Sequence, residues 1–246
     1  MNRDALLIAG ASSDIGIALI RRIASRPNPP TILAHCHSGS ARLQELAAAP
    51  GSNLRLLPAD FESETAVESL AETVLRDFGA PVGLVYLPGL PLRYERFHKL
   101  DLARLDRDLS VQLRAALVLL RRLCPAMGKL PSARLVFVLS SVTRGVAPKH
   151  MSAYSVVKHA QLGLMRALAS EYAATPLRVN AVTPSMTDTR YLAEIPELAR
   201  QMAAAANPLG RNAQPDEVAA AIEFLLSPDS GFITGIELPV CGGSSS

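Results

Sequence analysis

The chain has 246 residues, of which 49% are hydrophobic and 19% charged, a balance that suits one large buried core and excludes a disordered protein. The formal net charge of +3 is too small for an electrostatic nucleic-acid footprint. No apolar run is long enough to span a bilayer, which argues against a membrane protein.

In chain order, the apolar residues 5–9 predict a first strand, and residues 15–25 have the spacing of a helix that Pro27-Asn28-Pro29-Pro30 ends. Strands are expected at 31–35 and 54–57, then a helix over 64–78 closed by Gly79-Ala80-Pro81. A strand at 82–87, a long helix over 102–127, a strand at 134–139 and a helix over 154–173 follow. The chain ends with a strand at 178–182, a helix over 215–226 and a strand at 236–240. Residues 183–212 form the only long irregular stretch, a length more often functional than idle. This alternation predicts an α/β fold: a single-domain, Rossmann-like, doubly wound parallel sheet of about seven strands with helices on both faces. Nothing marks a domain boundary within 1–246, and 185–212 is the candidate substrate lid.

The N-terminus runs straight into the first apolar stretch, without a basic region, a long apolar segment and a cleavage site, so a cytoplasmic location is expected. Cys36, Cys124 and Cys241 lie far apart, which fits reduced thiols better than a disulfide framework or a zinc site. Residues of His35-Cys36-His37 alternate across a strand with no second ligand cluster, so no metal is expected.

Between the first strand and helix lies Gly10-Ala11-Ser12-Ser13-Asp14-Ile15-Gly16. Small residues there let a dinucleotide pyrophosphate approach the backbone, and the helix N-terminus offers N–H groups and partial positive charge. Asp14 is discordant: it can cap the helix, but a carboxylate repels a diphosphate. The strongest signal is Tyr154-Ser155-Val156-Val157-Lys158, which sets a phenol and an ammonium one helical turn apart. A neighbouring ammonium favours phenolate and so should lower the phenol's pKa. Thirteen residues before Tyr154, Ser141 follows an apolar strand, at the end that lines the ligand crevice in parallel α/β folds. After the second strand, His37-Ser38 stands where a carboxylate would select NAD, and Arg42 follows; the site therefore favours NADP(H).

With these motifs in order, the chain resembles the short-chain dehydrogenase/reductase family over nearly its whole length, most of all its 3-oxoacyl-(acyl carrier protein) reductases. Asp60-Phe61, Arg178-Val179-Asn180, Pro184-Ser185, Pro208-Leu209-Gly210-Arg211 and Val240-Cys241-Gly242-Gly243 carry the match further. The resemblance implies Ser141, Tyr154, Lys158 and Gln112 as the catalytic set. It implies cofactor contacts at Gly10, Ser12, Ser13, Asp14, Ile15, Gly16, His37, Ser38, Asp60, Phe61, Gly89, Tyr154, Lys158, Pro184, Thr187 and Thr189. Gln112 stands for an asparagine whose position holds a water relaying protons to the lysine, and Tyr86-Leu87-Pro88-Gly89 stands for an N-N-A-G turn. The implied activity is reduction of a carbonyl, such as a 3-oxoacyl thioester or related ketone, with NADP(H). The implied assembly is a homotetramer or homodimer joined through the long helices. Arg93, Arg96 and Lys99 are candidates to receive an acidic carrier protein or a carboxylate. The departures at Asp14, Tyr86, Pro88 and Gln112 keep open an alternative, a weak or inactive nucleotide-binding subunit that pairs with an active relative.

Overall fold

The computed structural model describes residues 4–244, so the first residues, on which the expectation about export partly rests, lie outside it. Its elements are β1 (Ala5–Ala9), α1 (Asp14–Ala24), β2 (Thr31–Cys36), α2 (Ala41–Ala48), β3 (Leu54–Pro58), α3 (Glu64–Asp77), β4 (Gly83–Tyr86) and α4 (Leu102–Leu109). A π-helical turn (Ser110–Arg114) joins α4 to α5 (Ala115–Met127), followed by β5 (Ala133–Val138), α6 (Ser152–Glu171), β6 (Leu177–Pro184), α7 (Glu197–Ala206), α8 (Pro215–Leu226) and β7 (Glu237–Val240). The strands make one seven-stranded sheet in the order β3-β2-β1-β4-β5-β6-β7, and every pair is parallel.

Successive side chains of a strand point to opposite faces, and here both faces are covered. Leu7, Leu84, Leu135 and Val179 pack with α3, α5 and α6 in one core. Their neighbours Leu6, Ile8, Val85, Val136 and Val182 pack with α1, α2 and α8 in the other. Double coverage explains why β1, β4 and β5 are buried at every position and read as continuous apolar runs. Chain order reverses beside β1, with β2 on one side and β4 on the other, and loops diverging there leave a crevice at the carboxyl ends.

Two expectations need correction, and one helix went unread. The helix expected over 102–127 is interrupted by the π turn. The short helix α2 lacked a periodic signal because it buries only Leu43. The stretch 183–212 is not irregular throughout: it contains a 3-10 turn (Arg190–Leu192) and α7, which fully buries none of its residues and so left no apolar stripe to read. Among the described residues, no helix is long and apolar enough to cross a membrane.

Candidate active site

A cleft of about 1050 Å³ opens at the carboxyl ends of β1, β2, β4 and β5 and is walled by α6 and residues 184–192. It begins at the glycine turn. Gly10 has φ +79°, and a Cβ there would lie 2.9 Å from the Pro88 nitrogen; one on Gly16 would lie 2.6 Å from the Ala11 carbonyl oxygen. The turn therefore stays tight and its backbone is bare toward the cleft, as a dinucleotide requires. The helix cap is Ser13 rather than Asp14: its Oγ accepts from the Gly16 N–H at 3.0 Å.

Asp14 instead ties the turn to two other segments. Its carboxylate accepts from the Arg190 backbone N–H at 2.7 Å and from Arg190 Nε at 3.1 Å, and it also pairs with Arg42. Arg190 Nη2 donates to the Ser12 carbonyl at 2.9 Å. Burial works against the charged carboxylate, but the Arg190 N–H and Arg42 outweigh it and hold the carboxyl below its usual range. Two guanidinium groups thus counter the repulsion expected of Asp14.

His35 is a functional residue that the motif reading missed. Its Nδ1 accepts from the Gly10 N–H at 3.1 Å, so Nε2 carries the proton and donates to the Ala59 carbonyl at 3.0 Å. Burial pushes its pKa down to about 4, which keeps the ring neutral and the acceptor free. The ring stacks on Phe61 at 3.8 Å, and the row continues through Tyr86 and Phe137 at 6.2 and 6.0 Å. Tyr86, buried where the family pattern has an asparagine, donates its hydroxyl to the Val111 carbonyl at 2.9 Å. The signal was a polar residue inside the apolar strand Ile32-Leu33-Ala34-His35.

Tyr154 and Lys158 project from α6 into the cleft, with Lys158 Nζ 5.7 Å from the phenol ring centroid. Ser140 and Tyr191 carry the hydroxyls that lie beside the phenol and favour its ionised form. Ser141, at the spacing read from the sequence, lines the cleft one residue further on. The chain leaves β5 at Val138, and the extended Ser140 caps the next turn through Val142 N, which brings Ser140 toward α6. The expected lowering of the phenol's pKa does not appear. Burial pushes Tyr154 up to about 12, against the lowering contacts of Ser140 and Tyr191, and pushes Lys158 down to about 8. The phenol is therefore held protonated.

Ser12, Ser13, Ile15, His37, Ser38, Asp60, Phe61, Gly89, Pro184, Thr187 and Thr189 all line the cleft, whereas Gly16 and Gln112 do not. Gln112 is buried; its Nε2 donates to Asp108 at 2.8 Å, and its Oε1 has no partner. Its main-chain carbonyl accepts from Gln161 Nε2 at 2.8 Å. All three basic candidates are exposed, and Arg93 is paired with Glu194. Tyr191, within the candidate lid, packs beside Tyr154 with ring centroids 6.4 Å apart. Among the described residues, no group of three or more His, Cys, Asp or Glu side chains is placed to hold a metal.

This sheet and crevice are those of oxidoreductases that interconvert alcohols and ketones with a nicotinamide dinucleotide. Over residues 10–245 the chain matches the family model described as "Enoyl-(Acyl carrier protein) reductase", and it belongs to the short-chain dehydrogenase/reductase family. It is 32% identical over 237 residues to cis-4-hydroxycyclohexanecarboxylate dehydrogenase of Sinomonas cyclohexanicum, covering 96% of this chain and 94% of that one. The crystal structure of levodione reductase superposes with TM-score 0.89 at 26% identity, covering 100% of this chain and 98% of that one. The 3-ketoacyl-(acyl-carrier-protein) reductase of Brucella melitensis, complexed with NADH, superposes with TM-score 0.88 at 26% identity, over 99% of this chain and 98% of that one.

Proposed function

We propose that the protein is a cytoplasmic, NADP(H)-dependent reductase that converts a carbonyl, a 3-oxoacyl thioester or related ketone, to an alcohol. The observation that carries this is a protonated phenol, Tyr154, meeting a serine hydroxyl with Lys158 one turn away, inside a cleft bounded by a bare glycine turn. The residues present fit a nicotinamide dinucleotide: the glycine turn and α1 N-terminus suit its pyrophosphate, and Pro184, Thr187 and Thr189 its nicotinamide end. When bound, the dinucleotide supplies the hydride.

The chain's own residues do the rest. Tyr154 gives its Oη proton to the substrate oxygen, which becomes the alcohol oxygen. The Ser140-Ser141 pair donates a hydrogen bond to that oxygen, Ser140 from its contact with the phenol and Ser141 from the position beside it. Lys158 stabilises the phenolate left behind and holds the cofactor ribose. His37, Ser38 and Arg42, with no carboxylate at the end of β2, favour a 2′-phosphate. Leu92, Met151, Leu192 and Ile195, packed with Met186 and Tyr191, form an apolar wall for an acyl chain or ring, and residues 185–212 serve as its lid. Arg96 and Lys99 on the rim suit an acidic carrier protein, and the long helices pair subunits in a homotetramer or homodimer. The names of the relatives span ring alcohols and acyl carriers, so the thioester is the finer part of the proposal.

The test is NADPH oxidation with a short 3-oxoacyl thioester and a cyclic ketone in parallel, with NADH as the second cofactor. The proposal expects turnover with the thioester, tighter binding of NADPH, and loss of nearly all turnover in Tyr154→Phe with NADPH binding kept within about threefold. No turnover by the wild type, or retention of most of its rate by the phenylalanine variant, would refute it.

A further inference from the structure

Lys158 is the only buried lysine of the four; Lys99, Lys129 and Lys149 are exposed. An ammonium has three donors and no acceptor, and burial makes unfilled donors costly. Two acceptors face it here: the Val138 carbonyl at 3.3 Å and Gln161 Oε1 at 3.1 Å. Gln161 is itself only 1% exposed, and both ends of its amide are committed, since Nε2 donates to the Gln112 carbonyl at 2.8 Å. Tyr154, Lys158 and Gln161 are spaced i, i+4, i+7, which places them on one face of α6. On the facing side, the carbonyl lies in the π turn, where the regular i→i+4 ladder is broken.

We infer that Gln161 is a positioning residue that clamps Lys158 between β5 and the Gln112 carbonyl and keeps it charged beside Tyr154. The carboxamide suits this because one planar group accepts from the ammonium and donates to the carbonyl at once. It also fills the space between those two groups, and an amide does not take up and release protons near neutral pH. The proton that returns to Tyr154 after turnover therefore arrives from the cleft, where Tyr191 packs beside the phenol, and not through the Gln112 carbonyl. The titratable groups facing Lys158 are Tyr154 from its own helix and Asp108 from α4, whose charge favours the ammonium. The facing groups from β5 and the π turn are the neutral Val138 carbonyl and the Gln112–Gln161 pair. Burial is the opposing influence and lowers the Lys158 pKa to about 8, so the charge sits near a balance that one acceptor can tip.

This role rests on the assignment of Tyr154 and Lys158 as the reacting pair, but its test does not need turnover. With four lysines, the protein labelled at lysine 13Cε gives few NMR signals, and the one from Lys158 is identified with Lys158→Arg. Gln161→Leu removes the acceptor and should lower the Lys158 midpoint by about one to two pH units. Gln161→Glu restores an acceptor with charge and should raise it above wild type. Gln161→Asn, one methylene short, cannot span both partners and should behave like the leucine variant while keeping the amide. If the leucine variant does not fold, the asparagine and glutamate variants carry the test. In an active enzyme, the pH profile of kcat should follow these midpoints, with kcat roughly tenfold lower in Gln161→Leu near pH 7.5. A Lys158 midpoint that stays within about 0.3 pH unit of wild type in both Leu and Asn variants would overturn the clamp. Absence of turnover in a wild type whose midpoint does respond would count against the reductase alone.

Discussion

Replacing Asp14 by glycine tests how this chain accommodates a carboxylate at the dinucleotide turn. Asp14 accepts one backbone N–H at 2.7 Å and pairs with Arg42 and Arg190, whose side chains are 36% and 65% exposed. A hydrogen bond to a charged group contributes about 1.5 kcal/mol, and pairs this exposed contribute about 0.3 kcal/mol each after solvent screening. Asp14→Gly should therefore destabilise the protein by about 2 kcal/mol, which for a chain of this size lowers Tm by about 4–8 °C. Cofactor binding should move the other way or hold still. The variant leaves two guanidinium groups beside the cleft without their counter-ion, so the NADPH Kd should tighten or stay unchanged. Melting curves with and without saturating NADPH, together with a fluorescence titration, give both quantities. A Tm within about 1 °C of wild type would show that the Asp14 ties contribute nothing. A Kd weakened by more than about threefold would show that Asp14 helps to hold the cofactor.

Three further outcomes are expected. Ser140→Ala should lower kcat by about a hundredfold with little change in KM; if Ser141→Ala alone did so, the substrate oxygen would belong to the second serine. His37→Asp should move cofactor preference at least about tenfold toward NADH, because a carboxylate accepts from ribose hydroxyls and repels a 2′-phosphate; an unchanged ratio of the two Kd values would remove His37 from the selectivity site. His35 is neutral in the folded state with a pKa near 4, below its ordinary 6.5. Its contribution is therefore full above pH 6.5 and is lost as pH falls toward 4, because the unfolded chain binds the proton first. Between pH 7 and 5 this amounts to about 2 kcal/mol of lost stability. His35→Asn should flatten that part of the denaturant-measured stability curve, and a slope identical to wild type would show that His35 is not buried neutral.

The parallel sheet was legible because its central strands are covered on both faces, so that β1 and β4 read as short apolar runs. The Tyr154–Lys158 pair was legible because helical spacing alone puts the two on one face. What could not be read was pairing across distance. Nothing local joins Asp14 to Arg190, 176 positions away, or Gln112 to Gln161, 49 positions away. Both Ser140 and Ser141 line the cleft, and spacing alone does not separate their roles. A count of thirteen residues places Ser141, but the faces along Ser140-Ser141 depend on the bend that Ser140 makes as it caps Val142. The pKa of Tyr154 failed because the sequence shows the neighbouring charge and not the burial, and burial is the larger effect here.

Asp14, Tyr86 and Gln112 depart from the family's pattern and share one physical feature: each has a partner elsewhere in the fold. The carboxylate of Asp14 has Arg42 and Arg190. The bulk of Tyr86 lies in the row between Phe61 and Phe137, and its hydroxyl reaches the Val111 carbonyl. The Gln112 side chain donates to Asp108, and its main-chain carbonyl accepts from Gln161, which in turn holds Lys158. Residues coupled in this way do not contribute additively. Restoring a family residue at one position alone leaves its partner without a counterpart: Tyr86→Asn opens a cavity beside Phe61 and Phe137, and Asp14→Gly leaves Arg42 and Arg190 without their counter-ion. An isolated subunit that had lost its chemistry would have no reason to keep such partners around the reacting groups, and here they converge on the glycine turn, the π turn and Lys158. The departures read more naturally as one rebuilt support for the same Tyr–Lys pair than as its decay.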